Sequence, residues 1–246
     1  MRKIILDVDT GTGYHHRCPL PHIELKVLTC VHRNLPLPNT TENTLRITEF
    51  VCPGVPVYAG CARPMVQDIV KTIEELVVMG GGIRWSNASQ AAEANFFLDP
   101  DAAAIMLQAN TRITILPLDA TSTATFSEEE GAEFMAIGND VAKFFGQRII
   151  DMVKVHKIRG TSQTDDPSKP DAAIHDALCI LYLIDPSVIT VLKHQTAFVH
   201  IGGGVCEGML VADNRAGMPV EGDIHIAYQM DKQKVKAMLM ALLKTV

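Results

Sequence analysis

The segment Ile4-Ile5-Leu6-Asp7-Val8-Asp9-Thr10-Gly11 constrains this chain more than any other. Consecutive aliphatic residues suit a strand buried on both faces, as in a parallel sheet. Side chains alternate along a strand, so Asp7 and Asp9 share one face at its carboxyl end. Converging carboxylates repel unless a cation or a proton lies between them. A hard cation that takes oxygen ligands, calcium or magnesium, is the natural guest. Thr10, Gly11 and Gly13 follow as a turn that can bring backbone close to a ligand. Open α/β sheets collect ligands at strand carboxyl ends, so a metal or phosphate site is expected here. The alternative is an exposed strand end followed by a plain turn.

The remaining bulk properties narrow the class. A chain of 246 residues suffices for one large α/β domain or two small ones, and a single domain over residues 1–246 is expected. Its net charge of −6 argues against non-specific binding to nucleic acid or anionic membrane. No apolar run approaches the roughly 20 residues of a membrane span. The first residues enter a strand directly, without the order of a signal peptide. Cys18, Cys30, Cys52, Cys61, Cys179 and Cys206 are scattered, and several lie in apolar segments. This fits reduced thiols and a cytoplasmic protein. No Cys/His pair has zinc-ligand spacing, so no zinc site is expected.

Strands and helices alternate along the chain, which implies α/β with a largely parallel sheet. Tyr14 to Pro21 has neither periodicity, and a crossover helix is not readable before the next strand, Glu24 to Thr29. His15 and His16 read as loop residues, since adjacent side chains rarely converge on one ion. A helix is expected over Asn39 to Phe50, capped by Asn39 or Thr40. Strands are expected at Pro56 to Gly60, Leu76 to Met79 and Arg112 to Leu116, with a short helix from Asp68 to Glu75. Gly80-Gly81-Gly82 is either bare backbone open to a ligand or a flexible turn. Asn87, Glu93 and Asn95 are polar groups among small and aromatic residues and need partners if buried. Asp99-Pro100 opens a helix over Asp101 to Ala109. Asp119 and Thr121 lie just past the Arg112 to Leu116 strand. Glu128 to His156 reads as helix broken near Gly138 or Gly146. A polar loop, Gly160 to Pro170, leads to His175 and Asp176, with Asp176 able to cap an apolar helix, Ala177 to Ile184. Strands near Ala197 to Ile201 and Asp223 to Met230 and a helix, Lys232 to Lys244, close the chain.

Several of these segments, taken together, resemble the inosine-uridine-preferring nucleoside hydrolases. They are Ile5 to Gly11, Pro56 to Gly60, Val77 to Gly81, Asn87 with Ala92-Glu93-Ala94-Asn95 and Asp99-Pro100, and His175-Asp176 with Tyr182 to Pro186. The resemblance spans nearly the whole chain, in the family's order. It implies an open, mostly parallel sheet flanked by helices, a Rossmann-like core. It also implies a calcium-assisted N-ribohydrolase that splits a ribonucleoside into base and ribose, and a homo-oligomer. By resemblance Asp7, Asp9 and Asp176 are calcium ligands, and Asp9 is the base that deprotonates the bound water. His175 matches the residue that helps protonate the departing base. Asn34, Asn87, Glu93 and Asn95 match positions that bind the ribose hydroxyls. These residue types suit the reaction. Carboxylates stabilise an oxocarbenium-like transition state, and an acid helps a poor leaving group depart.

The sequence also departs from the family at two places. Gly13 and Tyr14 stand where the family motif has two more aspartates, one for calcium and one for a ribose hydroxyl. Calcium takes six to eight oxygens, so weak or absent calcium binding is expected. Between Arg63-Pro64-Met65-Val66 and Gln67-Asp68-Ile69-Val70 the family has a long insert, carrying an active-site loop, a helix and a strand. The sheet is therefore expected to lack one central strand and helix. Both departures are abrupt and their flanks match, as a lost coding segment would leave them. An alternative is a catalytically impaired relative that binds ribosyl ligands or partners an active subunit. A haloacid-dehalogenase-like phosphatase would also use Asp7-x-Asp9, but Gly11 stands where that motif has threonine or valine.

Overall fold

The computed structural model describes residues 2–8, 23–30, 37–51, 54–59, 73–162 and 170–245. It divides into two compact units: Met1–Met65 with Ala132–Arg148 and Leu239–Val246, and Val66–Gly131 with Ile149–Met238.

In the first unit, β1 (Arg2–Val8), β2 (Ile23–Cys30) and β3 (Val57–Ala59) form a parallel sheet in that order. The β1–β2 register runs from Arg2 opposite Ile23 to Val8 opposite Cys30, with an irregularity between Ile4 and Ile5. Among the described residues β1 pairs only with β2. Its aliphatic run is not buried on both faces, because Ile5 is 68% exposed. Helix α1 (Leu37–Val51) links β2 to β3 and packs on both. It turns a stripe of Thr40, Thr44 and Thr48 inward. Thr44 Oγ1 donates to the Thr40 carbonyl at 2.8 Å, which satisfies a buried hydroxyl within the helix. The helix starts before Asn39, so Asn39 and Thr40 lie in its first turn and are not its caps. The Tyr14 to Pro21 segment lies outside the described residues. So does the expected helix from Asp68, apart from its end. Ile73 and Glu74 are not helical, and Glu75 already belongs to a strand.

The second unit is built on β4 (Glu75–Met79), β5 (Arg112–Leu116), β6 (Ile189–His194) and β9 (Ile224–Met230). Their order is β4-β5-β9-β6, with β4, β5 and β9 parallel and β6 antiparallel at the edge. Alternation along β5 divides its side chains between two faces. Ile113 and Ile115 share one face with Ile224 and Ile226 of β9. There they pack with Ala103 and Leu107 of α3 (Pro100–Leu107), and with Val199 and Leu210 from the antiparallel pair β7 (Ala197–Val199) and β8 (Leu210–Ala212). Thr114 faces the other way and meets Tyr182 of α7 (His175–Ile184), whose hydroxyl is 3.4 Å away. This is a mostly parallel sheet with helices on both faces, the α/β class expected.

Local chemistry explains the helix ends. Asp99 Oδ1 accepts from Ala102 N at 2.9 Å and caps α3, with Pro100 in its first turn. The long helical stretch breaks into α5 (Glu128–Met135) and α6 (Asp140–Arg159) at Gly138, whose φ is +98°. Asn139 then caps α6 through Ala142 N at 2.8 Å. Helix α7 begins one residue before Asp176. Asp176 therefore lies in its first turn, and Ile174 takes the cap position with no side-chain bond. Helix α8 (Lys232–Lys244) follows β9. Strands β6 and β8 and two short helices, α2 (Ala94–Leu98) and α4 (Leu118–Thr121), were not expected from sequence. The short helices and β8 span too few residues to show a period.

Candidate active site

Strand β4 ends at Met79, and Gly80-Gly81-Gly82 turns the chain past its carboxyl end. All three glycines are buried. A Cβ on Gly82 would lie 1.8 Å from the Trp85 carbonyl oxygen, and one on Gly81 would lie 2.8 Å from Leu210. Gly81 also holds φ at +75°, which side-chain-bearing residues resist. The run is neither open backbone nor a loose turn. It is a corner that the chain itself packs against.

Glu93 holds that corner from behind and is 2% exposed. Its Oε2 accepts from Gly81 N at 2.8 Å and from Phe96 N at 3.3 Å, and its Oε1 accepts from Asn95 N at 2.8 Å. It thus caps α2 and ties it to the end of β4 at once. Asn95 reinforces the tie, with Nδ2 donating to the Met79 carbonyl at 2.8 Å. Its Oδ1 is buried and has no hydrogen-bond partner among the described residues. Asn87 is exposed on the preceding loop, where its Oδ1 accepts from Ala94 N at 2.8 Å.

On the other side of the corner stands Asp119, in α4 just past β5 and 1% exposed. Its Oδ2 accepts from Ile83 N at 2.7 Å, and its Oδ1 from Arg84 N and Arg84 Nε, each at 3.1 Å. Arg84 is the member of this cluster that sequence reasoning missed. Nothing around it marks it beyond its place two residues after the glycines. Two residues on from Asp119, Thr121 Oγ1 lies 2.7 Å from His175 Nδ1. Burial pushes the His175 pKa down to about 4, and His156 adds to the fall, so its imidazole is neutral near pH 7. Asp176 beside it is exposed. Burial, with the Asp176 charge nearby, pushes the Cys179 thiol up, which makes it an inert group.

The structure therefore gathers Glu93, Asn95, Asp119, Thr121 and His175 around the carboxyl ends of β4 and β5. Asn87 stands at the margin. Of the other expected site residues, Asp9 and Asn34 lie outside the described residues. Asp7 is described only by its backbone, opposite Thr29 in the β1–β2 register.

A mostly parallel sheet with polar groups clustered past its strand ends defines an α/β protein whose strand carboxyl ends are the place for a ligand. One solved structure with this fold is a purine-preferring ribonucleoside hydrolase from Gardnerella vaginalis. It superposes with a TM-score of 0.79 at 20% identity, over 100% of both chains. Residues 4–72 and 65–237 match the sequence pattern described as inosine-uridine preferring nucleoside hydrolase, and the chain belongs to that family. The inosine-uridine preferring nucleoside hydrolase of Leishmania major is 26% identical over 305 aligned positions, covering 95% of this chain and 94% of that protein. Its counterpart from Crithidia fasciculata is 24% identical over 317 positions, covering 100% and 98%. Both alignments are longer than the 246 residues present, so these relatives carry positions that this chain lacks.

Proposed function

We propose that this chain hydrolyses the N-glycosidic bond of purine or pyrimidine ribonucleosides, releasing free base and ribose, as a cytoplasmic homo-oligomer. The observation that carries this reading is the family match through both blocks, 4–72 and 65–237. It includes the first aspartates and the His175-Asp176 pair. In this reading Glu93 and Asn95 bind ribose hydroxyls, with the free Asn95 Oδ1 accepting one. Asn34 and Asn87 complete the sugar contacts. Asp9 takes the proton of the attacking water. His175 supplies a hydrogen bond to the departing base. With Thr121 donating to Nδ1, the neutral ring keeps its proton on Nε2 and offers it as a hydrogen bond to the departing base, whose own proton must then come from solvent.

Calcium is the ion that the family resemblance implies, with Asp7, Asp9 and Asp176 as its carboxylates. It would lower the pKa of a bound water and orient it. The donor set here falls short of a calcium site. Asp119, which could have helped, already accepts from Ile83 and Arg84. Gly13 and Tyr14 supply no carboxylate. The same shortage favours a second reading, a catalytically impaired relative that binds ribosyl ligands or pairs with an active subunit.

The purified chain is incubated with inosine or uridine, with and without calcium, and free base is followed. Release that Asp9→Asn abolishes supports hydrolysis. Thermal stabilisation by nucleoside without release supports the binder. Release of phosphate from esters with magnesium, and no base, overturns both. Light scattering on the eluted peak reads the oligomeric state.

A further inference from the structure

A second group of polar side chains lies at the opposite end of the second unit's sheet. Strands β4, β5 and β9 run parallel, and their carboxyl ends carry the glycine corner and Asp119. Their amino ends carry Glu75, Arg112 and, at the start of β9, Asp223 and His225. Edge strand β6 runs the other way, and its last residue, His194, stands directly opposite His225. The register stacks the two imidazoles, with centroids 4.8 Å apart and planes 12° from parallel. Asp223 Oδ1 lies 2.7 Å from His225 Nε2 and 3.9 Å from His194 Nε2. One ligand atom from each residue falls within 4.8 Å of the others.

We propose that His194, Asp223 and His225 form a binding site for a borderline d-block divalent cation, of the zinc, nickel or cobalt class, distinct from the nucleoside site. Two imidazoles and a carboxylate are the donors such ions select, and a tetrahedral ion so held keeps one position for water. Metal–nitrogen and metal–oxygen bonds of about 2.0–2.2 Å at a tetrahedral angle set neighbouring ligand atoms about 3.4 Å apart. The present 2.7 and 3.9 Å separations bracket that value, and the stacked rings turn about their side-chain torsions to bring both in-plane Nε2 lone pairs onto one ion. The backbone need not move, because strand pairing already holds both histidines. On binding, the ion replaces the Nε2 protons that now face Asp223 and the Gly222 carbonyl oxygen, the latter 3.0 Å from His194 Nε2. Each ring then carries its remaining proton on Nδ1. The positive group acting on Asp223 from the neighbouring strand is Arg112, and its guanidinium is paired with Glu75 Oε1 at 3.3 Å. His194 and Asp223 are exposed and His225 is half-buried, so an ion can enter from solvent.

No Cys/His spacing in the sequence marks this site, because its two histidines are 31 positions apart and meet only through the β6–β9 register. An ion there staples an edge strand to its neighbour. It binds the folded chain alone and so stabilises it.

Zinc chloride is titrated calorimetrically into the full chain, and nickel is added to the same protein for proton NMR. The expected result is one zinc per chain and a higher thermal midpoint, both reversed by a chelator. His194→Gln weakens the affinity at least tenfold, and His194→Gln with His225→Gln removes the midpoint shift. Nickel broadens the ring signals of His194 and His225 and leaves those of His200 sharp. Asp223→Asn, which keeps the hydrogen-bond acceptor but not the charge, also weakens binding. Zinc binding unchanged in His194→Gln, or broadening shared equally by all histidines, overturns the proposal. The metal-free melting curves of the variants check that each one folds.

Discussion

Glu93 shows how one buried residue ties two elements together. Its carboxylate satisfies Gly81, Asn95 and Phe96 N–H groups in a buried place, so removing it leaves donors without acceptors. Glu93→Ala is expected to cost about 2–3 kcal/mol in urea denaturation, while Glu93→Gln, which keeps one oxygen, costs less. Asn95→Ala removes both the bond to Met79 and the free Oδ1. If Asn95 binds a ribose hydroxyl, this change raises the KM for nucleoside by more than its effect on stability explains. A KM unchanged beside a lowered melting point would make Asn95 structural only. In the sequence, Asn87, Glu93 and Asn95 could be singled out because polar groups among small and aromatic residues need partners. Their individual partners could not, since Gly81 and Met79 are 12 and 16 positions away from the side chains that bind them.

At the scale of elements, contacts between strands and helices carry the stability. Glu75 Oε1 on β4 accepts from Thr114 at 2.7 Å and from Tyr182 at 3.0 Å, which joins β4, β5 and α7. Tyr182→Phe is expected to cost about 1 kcal/mol by chemical denaturation, with the fold kept. Gly82→Ala must push the Trp85 backbone aside and is expected to cost about 1–3 kcal/mol. Helices α5 and α8 meet through Glu130, which lies 2.9 Å from Lys232 and 3.3 Å from Lys236. Burial pushes the Glu130 pKa up, but Ser127 N–H and the two lysines more than offset this and hold it below the usual 4.5. Its folded pKa is thus depressed. The stability it supplies is complete above the ordinary glutamate value and is lost as pH falls through the folded one. Acidification below 4.5 should lower the thermal midpoint more steeply in the parent chain than in Glu130→Gln. The strands β5 and β9 and the helices α5, α6 and α8 were legible from periodicity, with the break at Gly138. The caps at Asn39 and Asp176 were misplaced by a residue or more. Local residue preference marks the neighbourhood of a helix end more firmly than the end itself.

At the scale of the whole molecule, the chain belongs to its family yet is shorter than its relatives. The two family blocks meet at residues 65–72, next to the abrupt junction in the sequence. If a coding segment has been lost there, sequencing of transcripts from the same locus should find a longer in-frame form. Uninterrupted reading through this junction in every transcript would make the short chain the native product. A calcium titration is expected to leave the thermal midpoint nearly unchanged, because too few carboxylates remain to complete the coordination shell. A rise at micromolar calcium would show that water and backbone oxygens supply what Gly13 and Tyr14 do not. Among the described residues no helix is long and apolar enough to cross a membrane.

The sequence by itself determined the α/β class, most of the long elements and the family. Those follow from hydrophobic period and from motifs whose residues are neighbours in the chain. Only the tertiary structure decided that the triple glycine is a packed corner, that Asp119 is committed to the Ile83–Arg84 turn, and that Thr121 orients His175. It alone set His194 against His225. These facts depend on which strand pairs with which, and in what register. Pairing is a long-range outcome of burial and backbone hydrogen bonding, and no local stretch of sequence encodes it.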